Sequence, residues 1–193
     1  MTLNTNGCNF VINSKEINIL KSKSQLFSNN IVPDAFISAS EEEFEWIWLP
    51  LSNVKQLLEV RNAEHVVKNM RNSLPIDEAE HLNFLKKYYS LHRVDFVLKH
   101  KKTSDYVGGM NIALTNYGFE IGKYIGNTNF LGKGLSFSMA QSFLHYIKVN
   151  LKEIQRIHSV TKICNYKNIN LNYKLGFEII QKVENDFWLM ELK

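Results

Sequence analysis

The stretch YGFEIGKYIGNTNFLGKGLS, residues 117–136, constrains the fold more than any other part of the chain. In its first half, alternation sets Phe119, Ile121, Lys123 and Ile125 on one face and Glu120, Gly122 and Tyr124 on the other, the period-two pattern of a strand. Asn127, Thr128 and Asn129 break that pattern. Gly132, Lys133 and Gly134 follow, and an amphipathic run starts at Leu135. A strand, a glycine-bearing turn and a helix start together make an anion site: unpaired backbone N–H groups point out of the turn, and the helix dipole adds partial positive charge. A diphosphate suits such a place. GxxxxGKS/T and GxGxxG are both absent, so this is neither a P-loop nor a dinucleotide fingerprint. Taken alone, the residues favour an ordinary strand–turn–helix corner over an anion site.

The rest of the chain supplies partners for that corner. Residues 44–51, FEWIWLPL, read as a strand with Pro50 at its end, and Ser52 can cap a helix running to about 63. Residues 65–70 form a second, short helical piece. A third helix opens at IDEAE, with Asp77 as N-cap and Glu80 completing a capping box; Leu82, Phe84, Leu85 and Tyr89 line its expected buried face. Strands are expected at 95–100 and 106–115, with a tight turn at 116–118 into the strand already described. The next helix carries Leu135, Met139, Phe143, Ile147 and Leu151 at four-residue steps, a core stripe. Residues 156–163 are a strand, 168–175 a short helix closed by Gly176, and 177–183 with 187–192 a final hairpin. The layout β-α-α-β-β-β-α-β-α-β-β is an α+β fold with a mixed sheet. The strands on either side of the 132–151 helix should be parallel, because a crossover joins them. Residues 1–43 read as an extension packed on or near the domain formed by 44–193. FVINSKEINILKSK offers one or two short strands there, followed by a loop around Pro33 and an acidic turn.

A net charge of +4 is too mild to argue for nucleic acid, though it favours an anionic small molecule. Cys8 and Cys164 are too few for a disulfide framework and suit a reducing cytoplasm; Cys164 is expected to be a buried free thiol. No leader-like N-terminus and no apolar run of about 20 residues is present, so no membrane insertion is expected. The six histidines show no metal-like spacing, and His158 is expected to be structural. Trp46, Trp48 and Trp188 are expected as core and sheet-face aromatics.

Two motifs carry a family resemblance. Leu131-Gly132-Lys133-Gly134-Leu135-Ser136 sits where the GNAT superfamily of N-acetyltransferases has Q/R-x-x-G-x-G/A, with Leu131 and Ser136 departing from that pattern. The run from Asn165 to Phe177 resembles the family's N-x-x-A/S-x-x-x-Y-x-K-x-G-F: Asn165, Lys174, Gly176 and Phe177 fit, while Asn168 and Asn172 replace the small residue and the tyrosine. The resemblance covers about residues 44–193. It implies a twisted, mostly antiparallel mixed sheet of about seven strands flanked by about four helices. Within the superfamily the chain most resembles the amino-sugar branch of pseudaminic acid biosynthesis. Arg61-Asn62, Met70, residues 76–84, Glu120 to Tyr124 and Asn129-Phe130-Leu131 carry that likeness.

The resemblance implies acetyl transfer from acetyl-CoA to an amine by direct attack, with no metal. Backbone amides of Leu131, Gly132, Lys133, Gly134, Leu135 and Ser136 would hold the CoA diphosphate; Lys133 either adds charge or is a solvated turn lysine. Tyr124 and Ile125 would offer backbone groups to pantetheine, Asn165 its amide, and Lys174 belongs to the same motif. Glu120 is the candidate general base, or else pairs with a basic neighbour. The acid that helps the thiolate leave is Tyr173 or water, and Asn172, at the motif's tyrosine position, is otherwise a polar contact. Arg61 and Asn62 fall near the implied acceptor site, Arg61 either gripping a diphosphate or forming a surface salt bridge; His81 contacts substrate or packs. The acceptor would be a UDP-linked amino sugar, the protein cytoplasmic, and a homodimer is possible. Two alternatives stay open: acetylation of a protein N-terminal amine, of the ribosomal-protein type, and a non-catalytic acyl-CoA-binding protein.

Overall fold

The structure, a computed structural model, describes residues 2–5, 8–11 and 43–193. Strands β1 (Thr2–Thr5) and β2 (Cys8–Val11) pair antiparallel in a sheet of their own. β2 overlaps the start of the expected N-terminal strands; the remainder of that stretch and the loop around Pro33 lie outside the described residues.

The main sheet contains β3 (Phe44–Trp48), β4 (Arg93–His100), β5 (Tyr106–Thr115), β6 (Gly118–Ile125), β7 (Ile157–Lys162), β8 (Phe177–Val183) and β9 (Phe187–Leu192). Their spatial order is β3-β4-β5-β6-β7-β9-β8. Every neighbouring pair is antiparallel except β6 and β7, which are parallel as the crossover requires. This is the mixed seven-stranded sheet expected of the α+β reading.

The parallel pair is the sheet's irregularity. β6 follows β5 along its whole length, from Gly118 to Ile125, but meets β7 only at Phe119–Ile157 and Glu120–His158. Beyond Glu120 the two strands part, leaving an opening in the middle of the sheet.

The helices are α1 (Val54–Arg61), α2 (Glu64–Val67), α3 (Glu78–Lys87), α4 (Leu135–Asn150) and α5 (Tyr166–Lys174). α4 lays Met139, Phe143 and Ile147 on one sheet face, against Phe96, Ile112, Phe119 and Ile121, and Leu151 closes the stripe. Apolar burial on this scale, about 1.5–3 kcal/mol per large side chain, anchors the sheet. α1 covers the opposite face, packing Leu57 and Val60 on Val97 and Tyr106. Gly126, just past β6, permits that approach: a Cβ there would lie 1.8 Å from the Val60 carbonyl oxygen.

Several local expectations change. Asn53, not Ser52, caps α1, accepting from the Gln56 amide at 3.1 Å; Ser52 instead donates to the Leu49 carbonyl and closes a short 3-10 turn at Leu49–Leu51. The Asp77–Glu80 capping box forms in both directions. However, α3 buries His81 and part-buries Phe84, Tyr88 just past its end is buried, and Leu82 and Tyr89 are more than 40% exposed. The face rotates because Tyr88 turns inward to bond Asp95 on β4. α4 starts at Leu135 rather than Gly132, since Gly132 and Gly134 take φ of +76° and +75° and cannot continue a helix. α5 starts earlier than expected, at Tyr166, capped by Asn165. Cys164 is exposed, not buried, because it falls in the turn between β7 and α5.

Candidate active site

The glycine turn opens a helix, as its sequence suggests. Gly134 is the N-cap of the 16-residue α4 and makes no side-chain cap bond. The first α4 amide to find a carbonyl near the turn is Phe137, which bonds Gly134. The amides of Leu135 and Ser136 therefore face outward, as the first amides of a helix do. A Cβ built on Gly132 or Gly134 meets nothing within 4 Å, so there is room above the turn for an anionic group. Leu131 is 44% exposed, and Lys133 lies over the Phe130 ring at 5.5 Å. The turn presents backbone amides with one exposed ammonium nearby.

On the α1 side of the sheet, strand register brings Asp95, Asn111 and Gly122 into one row and Ala113 and Glu120 into the next. Glu120 sits at the last contact with β7, on the lip of the opening. Arg71, in the loop after α2, donates to both its carboxylate oxygens at 3.1 Å and, through Nε, to Glu184 in the β8–β9 turn at 3.1 Å. Burial pushes the Glu120 carboxyl above its ordinary 4.5, and Arg71 works against that rise. Lys162 at the end of β7 donates to the Lys68 carbonyl at 2.6 Å and to the Ser73 hydroxyl at 2.8 Å. Residues 68–73 are thus strapped to β6, β7 and the β8–β9 turn.

Deeper on the same face lie two polar atoms with no hydrogen-bond partner among the described residues: Arg61 Nη1 and His81 Nε2. The Arg61 guanidinium stands over the Tyr124 ring at 5.7 Å, and burial lowers its pKa. His81 is 6% exposed, and burial likewise lowers its pKa against an opposing pull from Asp95. Next to them Arg93 grips Asp95 through both oxygens, at 2.7 and 2.5 Å, and Tyr88 donates to Asp95 at 3.0 Å. Burial alone would lower the Arg93 pKa; Asp95 more than offsets it. Asn62, expected beside an acceptor, uses its amide otherwise: it donates to the Ile76 carbonyl at 2.7 Å and accepts from the Ile76 amide at 2.9 Å, tying down the loop before α3.

The opposite, helix-facing side of β6 is apolar except for Lys123. Its Nζ donates to Asn172 Oδ1 on α5 at 2.5 Å. Asn172 is fully buried and donates in turn to Ser159, Thr161 and the Met190 sulfur. Tyr173, the next residue, is 49% exposed, one helical step around from the opening. Asn165 keeps its carbonyl oxygen on the Asn168 amide at 3.2 Å, which leaves its NH2 for another acceptor. Lys174 is exposed, the Ile125 carbonyl meets His65 Nε2 at 2.9 Å, and Tyr124 is part-buried under α1. His158 is buried against Glu191 at 3.0 Å, in the structural role expected of it. Among the described residues no cluster of histidine, cysteine and carboxylate side chains is built to hold a metal.

The sequence reading missed Arg71 and the Arg93–Asp95–Tyr88 group, and assigned no role to Lys123. Arg71 sits in a polar loop without periodicity and carries no local signal. Lys123 did carry one: a single ammonium in an otherwise apolar strand face.

A sheet split between two parallel strands, with open helix amides past the end of one and a carboxylate on the lip, can lay a long phosphorylated donor edge-on to an acceptor. The chain belongs to the family described as Acetyltransferase (GNAT) domain, whose family model matches residues 49–178; it carries an acetyltransferase domain. Solved structures share its fold. A domain from Methanocaldococcus jannaschii aligns with a TM-score of 0.67 at 21% identity, covering 78% of this chain and 97% of its own. The Campylobacter jejuni N-acetyltransferase PseH aligns at 0.58 and 21% identity, with the same coverages. The spermidine N-acetyltransferase from Vibrio cholerae, solved with CoA and spermine, aligns at 0.63 and 17% identity, covering 79% and 96%. No curated protein matches the chain.

Proposed function

We propose that this protein transfers an acetyl group from acetyl-CoA to the amine of a nucleotide-linked amino sugar, by direct attack. The observation that carries the acceptor class is the charge arrangement beneath α1. Asp95 and Glu120 are each engaged by an arginine, and so is Glu184, whereas Arg61 has no carboxylate partner among the described residues. A part-buried guanidinium whose Nη1 has no hydrogen-bond partner among the described residues favours an acceptor bearing an anionic group, and a diphosphate matches its fork. It disfavours polycations such as polyamines, which would need free carboxylates there. His81 Nε2 offers the same pocket a second polar atom.

In this reading the amides from Gly132 to Ser136 receive the CoA diphosphate, and the Asn165 NH2 and the backbone of β6 near Tyr124 and Ile125 align pantetheine along the opening. Glu120 removes the proton of the attacking amine, directly or through one water. A sugar amine with pKa near 8 is about a tenth neutral at pH 7, against less than a thousandth for a lysine, so one base suffices.

A thiol-release screen with acetyl-CoA tests the assignment. Acceptors should include UDP-linked amino sugars, peptides with free N-termini, aminoglycosides and polyamines. CoA release is expected with the nucleotide sugars. Turnover confined to peptides or polycations overturns the acceptor class, and saturable acetyl-CoA binding without turnover on any amine overturns the enzymatic reading.

A further inference from the structure

Lys123 is an expensive residue in its place. It interrupts the run Phe119, Ile121, Ile125 on the face that packs α4, where a leucine or methionine would fill space without desolvating a charge. Its hydrogen-bond partner is neutral, the Asn172 amide oxygen. Burial moves its pKa from 10.5 to about 7, and no neighbouring charge among the described residues, from β6, β7, α4 or α5, contributes to that shift. The partner is itself held: Ser159 and Thr161 on β7 and Met190 on β9 fix the Asn172 amide. An ammonium carries three protons and Asn172 takes one. The structure therefore aims a cation and supplies it with no anion.

Its position suggests what the anion is. Lys123 follows Glu120 by three residues, about 10 Å along the strand, in the part of β6 that β7 no longer covers. Three is an odd step, so the two side chains leave β6 on opposite faces. A group lying in the opening between β6 and β7 is in reach of both. An amine delivered from the α1 side meets Glu120, and the leaving group departs toward the side of Lys123.

We propose that Lys123 is a catalytic acid that protonates the sulfur of CoA as it leaves, with Asn172 holding the ammonium in place. This rests on the reading of the opening as an acetyl-CoA site. The bond between the amine nitrogen and the acetyl carbon forms, and the carbon–sulfur bond breaks. The sulfur takes a proton from Lys123 Nζ and leaves as the thiol, Glu120 takes one from the nitrogen, and exchange with water restores both groups. Transfer from an ammonium near 7 to a thiolate whose acid has a pKa of about 8.5 runs downhill. Asn172, an amide, has no proton acidic enough for this step, and its part is positioning.

The test begins with free CoA rather than turnover. Calorimetry measures CoA binding to the wild type, Lys123→Met and Lys123→Arg, and ultraviolet absorbance then follows ionisation of the bound thiol with pH. The bound thiol should ionise at least tenfold more readily in the wild type than in Lys123→Met, with Lys123→Arg resembling the wild type. Absence of CoA binding by the wild type overturns the site reading as a whole. Binding with identical thiol titrations in wild type and Lys123→Met overturns only the role of Lys123. With the acceptor from the screen, Lys123→Met should lose roughly 10²-fold in kcat with little change in KM for acetyl-CoA. A stable acetyl group on Lys123 after incubation with acetyl-CoA would also overturn the acid role. Should Lys123→Met fold poorly, Lys123→Gln, which keeps a polar contact to Asn172, carries the same comparison.

Discussion

The two faces of β6 treat charge in opposite ways. On the α1 face Glu120, Asp95 and Glu184 are cross-paired with Arg71 and Arg93, so carboxylate and guanidinium neutralise each other across elements. On the α4–α5 face one ammonium, Lys123, is part-buried against an amide. The first pattern is what structural ion pairs look like, and Arg61, with no carboxylate partner among the described residues, falls outside it. The second has no structural rationale, because a neutral partner cannot repay the desolvation of a cation. Both faces meet at the opening, and a single bound thioester would turn both into function: proton removal on one side and proton donation on the other.

The sharpest way to break the comparison is to neutralise the carboxylate. Glu120→Gln preserves shape and removes the proposed base, and should lower kcat by roughly 10²–10³-fold. Acetyl-CoA affinity should be unchanged, since the proposal sets Glu120 against the acceptor. A variant that kept full turnover across the pH range would return Glu120 to the role of a partner for Arg71 and nothing more.

A second effect appears in stability. Lys123 titrates near 7 when folded and at the ordinary 10.5 when unfolded. Below pH 7 both states hold the proton, and the cost of burying it is fully present. Between those values the unfolded chain binds more protons, so stability rises with pH, at up to about 1.4 kcal/mol per unit. Comparing urea unfolding of the wild type and Lys123→Met from pH 7 to 9 isolates this contribution. The wild type should gain on the variant by about 2 kcal/mol over that range, starting from below it. Parallel curves would show that the ammonium is solvated in the folded protein.

What the sequence makes legible here is whatever repeats or turns locally. Alternation reveals β6, the four-residue stripe reveals α4, and the crossover between them dictates the one parallel pair. The glycines announce the turn because only their positive φ stops the chain from running straight into the helix. The polar pairs across the sheet do not announce themselves. Arg71 meets Glu120, and Lys123 meets Asn172, each across 49 residues. No periodicity spans such a distance; only the assembled sheet brings those residues together. The misjudged face of α3 has the same origin. Leu82 looks more apolar than His81, but the Tyr88–Asp95 contact decides the helix rotation, and it is invisible until β4 lies alongside. The domain was legible from its periods, whereas the chemistry resides in pairs that only tertiary structure closes.

The smallest predicted effect probes how the paired face is tuned. Arg71 stabilises the Glu120 carboxylate and also shields it from Glu184. Arg71→Ala removes an attraction and uncovers a repulsion, and both raise the Glu120 pKa beyond what burial already imposes. A base works when deprotonated, so the acid limb of the kcat/KM profile should move to higher pH, by up to about one unit. The plateau above it should fall little. Arg71 is 41% exposed, and losing its pairs should cost under about 1 kcal/mol of stability. A limb that moved to lower pH would mean that the titrating group is not Glu120. A limb that stayed put with a lower plateau would mean that Arg71 touches the acceptor, and that the strap of residues 68–73 forms one wall of the pocket.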